Sequence, residues 1–207
     1  MNDRSAQHQA VVQAAVRANI KLLVYTSLLK APQTSVSVLK EHIHTEAAIR
    51  DSRIPYVILR NSWYIENYTD NVQLILSQGA IYGASGDGRI AAASRADLAE
   101  AAARVLLEDG HTGKTYELAG SHQFTKAELA GIISNWSHKN IAYQNMPPEQ
   151  YTATLTGAGL PEPIAQFLVQ ADLAIAVNEL NSDSDDLQFL IGHPAQTVED
   201  VLGEMNA

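Results

Sequence analysis

The stretch IPYVILRNSWYIENY, residues 54–68, decides how the chain folds. Pro55 ends whatever helix precedes it. Tyr56–Arg60 is then a short unbroken apolar run closed by an arginine, which predicts a strand buried on both faces. Such strands belong to parallel sheets covered by helices. Their carboxyl ends are where open α/β sheets place ligands. At this end come Asn61, Ser62, Trp63, Tyr64, Ile65, Glu66, Asn67 and Tyr68. The two carboxamides each offer a donor and an acceptor, and the two large rings would cover a flat group. One reading makes this a ligand wall. The other makes the rings a lid over the core and lets the carboxamides satisfy loop backbone.

Working outward, the neighbours agree with a parallel sheet. Val36–Asp51 is expected to be a helix, and KLLVYTS (Lys21–Ser27) a second buried strand. Asp3–Ala18 precedes it as a helix, favoured by Ala10, Ala14, Ala15 and Ala18 with Val11, Val12 and Val16 on its apolar side. Downstream, Glu66–Gln78 reads as a helix ended by Gly79. Ala80–Tyr82 and Arg89–Ala93 flank a glycine-rich turn and predict a hairpin. Ser94 with Asp97 predicts a capping box that opens an alanine-rich helix to Glu108. Thr115–Ala119 is a third buried strand. Beyond Gly120 the expectation is a helix over Thr125–Trp136, a strand over Ile141–Asn145 and a mostly helical remainder. The fold class is therefore α/β with a parallel sheet, divided into residues 1–120 and a smaller, mostly helical region, 121–207.

Composition removes several functions. With 46% hydrophobic and 18% charged residues among 207, the chain has ample material for one core. A net charge of −9 argues against nucleic acid as a partner. No apolar run reaches the roughly 18–20 residues of a membrane span. MNDRSAQHQAVV lacks the basic-then-apolar order of a signal peptide, and cysteine is absent, so the expected location is cytoplasmic. The seven histidines and the acidic run Ser182–Asp186 have no metal-ligand spacing, so no metal is expected. There is no G-x-S-x-G elbow. Gly83–Gly88 fails as a phosphate loop because no buried strand runs through it into a helix. Tyr25-Thr26-Ser27 closes a strand with three hydroxyls, which would contact a ribose or substrate oxygen or, more commonly, the turning backbone.

LRNSWYIENY (59–68), VYTSLL (24–29), HIHTE (42–46) and ASGDGRIAAASRADLAEAAARV (84–105), with TYELAG (115–120) and IGHP (191–194), together resemble the NmrA-like branch of the atypical short-chain dehydrogenase/reductases. The likeness spans essentially the whole chain and leans to the bacterial NAD(P)H:quinone oxidoreductase type. It implies part of a Rossmann-like sheet, its later strands, with a small C-terminal region. It also implies NADPH or NADH as cofactor and a small-molecule quinone as substrate, reduced by direct hydride transfer. The segment Ser62, Trp63, Tyr64, Ile65, Glu66 and Asn67 would line the nicotinamide end, joined by Asn61 and Thr26. The family pattern is Arg-Asn-Gly-Trp-Tyr-x-Glu-Asn-Tyr, and this chain departs from it at Ser62, where a side chain would narrow the approach.

A larger departure is the absence of the family's opening strand, Gly-Ala-Thr-Gly-x-x-Gly loop and helix, which hold the pyrophosphate. By the resemblance, Met1 falls after the family's fourth strand, with roughly 75 residues missing, one mononucleotide-binding half. This counts against cofactor binding by the chain alone. It also makes KLLVYTS a sheet edge that invites pairing with another copy or a partner. No catalytic residue is assigned. A Tyr-x-x-x-Lys pair is absent, and Lys40, Glu41 and His42 are read as a solvated helix face rather than proton donors. The alternative function is a non-catalytic NAD(P)-binding regulatory module, or an inactive fragment.

Overall fold

The computed structural model describes residues 4–36 and 40–205. Its centre is a parallel three-stranded sheet of β1 (Leu23–Leu28), β2 (Tyr56–Asn61) and β4 (Thr115–Leu118), in that order. β2 is the middle strand, and Val57, Ile58 and Leu59 are all fully buried, as an unbroken apolar run requires. One face meets α2 (Glu41–Asp51), on which α1 (Arg4–Arg17) packs. The other face holds Val57, Leu59, Tyr116 and Leu118 against α5 (Arg95–Leu107) and α9 (Asp186–Ile191).

The register aligns Ser27, Arg60 and Glu117 in one row across the three strands. Arg60 sits at its centre. It grips Glu46 of α2 with two bonds, Nε to Oε1 at 2.9 Å and Nη2 to Oε2 at 2.7 Å, and reaches Glu117 Oε1 at 2.7 Å. Ser27 Oγ donates to Glu46 Oε1 at 2.6 Å, and Arg50 Nη2 adds a bond of 3.0 Å. Burial works to raise the Glu46 carboxyl, but the hydrogen bonds from Arg60, Ser27 and Arg50 and the guanidinium charge outweigh it and hold it below its ordinary value. A buried carboxylate this fully bonded clamps α2 to the sheet.

A second core forms around the parallel pair β3 (Ala80–Gly83) and β5 (Ala142–Asn145), with α6 (Lys126–Ser137), α8 (Glu162–Ala176) and α10 (Val198–Glu204). The remaining helices are α3 (Glu66–Thr69), α4 (Val72–Gln78) and α7 (Pro148–Gly157). Pairing crosses residue 120, since β3 lies before it and β5 after, and α9 returns to cover β4. Lys126 and Asp172 form a buried ion pair, with Nζ at 2.6 and 2.7 Å from the two carboxylate oxygens. Asp172 Oδ2 also accepts from the Ala84 amide at 2.7 Å, so the pair ties α6, α8 and the loop after β3 together.

Several expectations need correction. The hairpin does not form: β3 pairs with β5, while Ile90 bridges Phe124. The turn instead docks on the second core, through Tyr143 and Asn145 side chains that bond the Ser85 and Gly86 amides. The helix expected over Glu66–Gln78 breaks at Asp70–Asn71, because Asn71 Nδ2 takes the Asn67 carbonyl that a continuing helix would use. The helix expected from Val36 begins at Glu41, after a 3-10 turn at Ala31–Gln33, and residues 37–39 lie outside the described residues. Ser94 caps α5 through the Asp97 amide, but the Asp97 carboxylate turns to the Gln196 amide rather than closing a box. Thr125 and Glu128 do close one at the start of α6. β1 pairs only with β2 among the described residues. No described helix is long and apolar enough to cross a membrane.

Candidate functional site

A cleft of about 590 Å³ opens at the carboxyl ends of β1 and β2. Its walls include Thr26, Asn61, Ser62, Trp63, Tyr64, Glu66 and Asn67, so seven of the eight residues singled out in the sequence meet here. The eighth, Ile65, faces the core instead, where it is 1% exposed among Val72, Phe124 and Leu129.

A run of three small residues holds segment 62–64, with Tyr64 bridged to Ala93, before Ile65 turns into α3. Ser62 N donates to Leu118 O and Ser62 Oγ to Ala91 O. The Ala93 amide donates to Trp63 O, and the Ile65 amide returns a bond to Ala93 O. Ala91, Ala92 and Ala93 are buried, and their backbone passes so close to Gly120 that a side chain at 120 would collide with the Ala92 carbonyl. The Ser62 side chain is thus spent on backbone and does not project across the cleft.

The rings form a wall. Trp63 lies 6.3 Å, centroid to centroid, from Phe167 of α8, their planes 32° apart. Tyr64 sits beneath the Arg95 guanidinium at 5.3 Å, and Arg95 is tied to Asp70 at 2.9 Å. Glu66 Oε1 accepts from the Arg95 amide at 2.7 Å. Two buried acceptors of the cleft residues have no partner: Asn61 Oδ1 and Glu66 Oε2. Asn61 is only 8% exposed. A buried acceptor left without a donor is costly, and at the wall of a cleft it is what an incoming N–H or O–H would satisfy.

The other wall departs from the sequence reading. His42 is not on a solvated face: it is half-buried and lines the cleft with Arg4. Its Nδ1 lies 2.8 Å from Tyr25 Oη. Glu41 is engaged by Arg4 Nε at 3.2 Å, and Lys40 is exposed. Of the three strand-end hydroxyls, Tyr25 is thus bonded to α2, as is Ser27, and Thr26 alone is exposed at the cleft. Sequence reasoning missed Phe167, Leu168, Arg4 and Arg95 as wall residues. Only Arg95 carried a local signal, as the first residue after a helix cap.

The NmrA-like family matches residues 1–192. Quinone oxidoreductase 2 of Escherichia coli is 42% identical over 205 residues, covering 99% of this chain and 72% of that protein. The crystal structure of the NADPH-dependent quinone oxidoreductase from that organism, complexed with NADPH, superimposes with a TM-score of 0.96 over 100% of this chain and 73% of that one. The triphenylmethane reductase of a Citrobacter species, complexed with NADP(H), is 35% identical with a TM-score of 0.93, over 99% of this chain and 73% of its own.

Proposed function

Because the chain belongs to the NmrA-like family, we propose that it is an oxidoreductase that reduces a quinone with NADPH, the nicotinamide end lying in the cleft at the ends of β1 and β2. The observation that carries this reading is the unpartnered Asn61 Oδ1, buried in a cleft wall beside Trp63. A nicotinamide carboxamide brings an N–H that such an acceptor requires, and its ring is a flat group that an aromatic wall packs against. Bound there, the cofactor supplies a hydride, and the protein's part is placement and exclusion of water.

Each residue then has a task. Asn61 accepts from the carboxamide. Trp63 and Phe167 set the apolar wall along which a flat substrate lies. Asn67 and Glu66 offer polar groups at the mouth, and Thr26 a hydroxyl from the opposite strand. Ser62 keeps its segment extended through Ala91 rather than touching ligand. The relatives named above are an NADPH-dependent quinone oxidoreductase and a triphenylmethane reductase complexed with NADP(H), which agrees with a cleft built for flat, conjugated electron acceptors.

The test is calorimetric titration with NADPH, followed by an absorbance assay with a benzoquinone. Micromolar binding and turnover are expected. Binding without turnover would make the chain a cofactor sensor, and no binding up to millimolar NADPH would remove the reading.

A further inference from the structure

On that reading, we infer that His42 is the hydrogen-bond donor to the substrate's carbonyl oxygen, its Nε2–H held toward the cleft by Tyr25. The geometry comes first. His42 lines the cleft, whereas its Nδ1 partner Tyr25 does not. The imidazole therefore stands between the phenol and the cavity. The ring is held on two sides, with Tyr25 5.8 Å and His8 6.5 Å away between centroids. His8 is itself fixed, since its Nδ1 lies 2.8 Å from Thr45 Oγ1, whose own proton goes to the Glu41 carbonyl. Among the described residues no group accepts a bond from His42 Nε2.

With the Tyr25 hydroxyl as donor and Nδ1, 2.8 Å away, as acceptor, the imidazole proton would lie on Nε2. Burial raises the Tyr25 phenol above its ordinary value, so it keeps its proton. Burial lowers His42 below its ordinary value, and the charges of Arg4 and His8 push the same way, against weaker opposition from Glu46 and Glu41. These are the titratable groups that face it: Arg4 and His8 from α1, Tyr25 from β1, Glu41 and Glu46 from α2. A neutral imidazole whose Nδ1 accepts from a phenol has its single proton on Nε2. A neutral imidazole aimed at a carbonyl stabilises charge that develops there without itself being consumed.

The balance is simple. A quinone that accepts a hydride and its electron pair from a reduced nicotinamide holds negative charge on oxygen until solvent supplies one proton. His42 gives up no proton. It donates a hydrogen bond while the charge is present.

The test has two readouts. In histidine-labelled protein, ¹⁵N NMR at pH 7.5 is expected to show His42 with Nδ1 unprotonated and Nε2 protonated, and Tyr25→Phe to mix the two tautomers. The opposite tautomer in the unaltered chain overturns the inference. In steady-state assays with NADPH and 1,4-benzoquinone, His42→Ala is expected to lower kcat by about 10- to 100-fold, toward the lower end for one lost donor in an open cleft. The KM for NADPH should stay within about twofold. His42→Gln, which keeps an N–H, should retain more activity than His42→Ala. If His42→Ala keeps its kcat, or raises only the KM for NADPH, His42 is a cofactor contact or a filler and the inference falls. Should His42→Ala not fold, Tyr25→Phe decides, by an expected drop of about three- to tenfold in kcat or its absence. An unaltered chain that reduces no quinone removes the proposed function and this inference together. An active chain matched by His42→Ala removes only the inference.

Discussion

Asn61 and His42 show how much a single side chain's surroundings decide. Asn61→Ala deletes an acceptor that no protein group uses. NADPH affinity should fall about tenfold, near the value of one hydrogen bond, while the melting temperature moves by no more than about 2 °C. Calorimetry beside a thermal melt checks both. His42 predicts a pH effect on stability. Its proton affinity is lowered in the folded chain, so the unfolded chain binds the proton first as pH falls. Its contribution is intact above the unfolded value of about 6.5 and is lost as pH drops from there through the folded value. Urea unfolding at pH 7.5 and 5.5 should therefore show a smaller loss for His42→Gln than for the unaltered chain. The sequence exposed the Asn61–Asn67 wall because one strand and its exit loop supply all of it. It hid His42 and Phe167, because which side of a helix meets a cleft depends on contacts with distant residues. His42 meets Tyr25 across 17 positions, and Phe167 comes from α8, far along the chain.

At the level of elements, the strands were the easiest to read. Buried parallel strands need continuous apolar runs, and the middle strand β2 supplies one, whereas β1 is half-buried with Thr26 exposed and β4 alternates in burial around Glu117. The glycine-rich turn misled because a hairpin and a docked loop have the same local chemistry. Only the Tyr143 and Asn145 side chains, nearly sixty residues away, distinguish them. The long helix misled because Asn71 competes for backbone at one point. Glycines give the sharpest test here. A Cβ on Gly120 would lie 1.8 Å from the Ala92 carbonyl oxygen, which is backbone and cannot yield. Gly120→Ala should cost at least about 2 kcal/mol and disturb the 62–65 segment. Gly131, in mid-helix of α6, has open space around its Cβ position, so Gly131→Ala should be stabilising by about 0.5–1 kcal/mol. Denaturant midpoints of the two variants should move in opposite directions.

Across the whole molecule, two buried charge clusters fasten the layers. Glu46 and Arg60 hold α2 to the sheet, and Lys126 and Asp172 hold the second core. Glu46 sits below its ordinary value, so its contribution is complete above the unfolded pKa and disappears as pH falls through the folded one. Glu46→Gln should shift the acid-unfolding midpoint toward neutral pH, followed by circular dichroism. Lys126→Met leaves the Asp172 carboxylate buried with only the Ala84 amide as partner, and should cost about 3–5 kcal/mol. Adding Asp172→Asn should recover part of that, since the amide oxygen still accepts from Ala84. A double-mutant cycle in urea would measure the coupling.

Helix α8 belongs to both the second core and the cleft. Phe167 stands in the cleft wall, and Asp172, five residues on, is locked to Lys126. A helix anchored that firmly cannot retreat to admit a bulkier acceptor. The width of the cleft on this side is therefore set by the ring at position 167, while the helix behind it stays where it is.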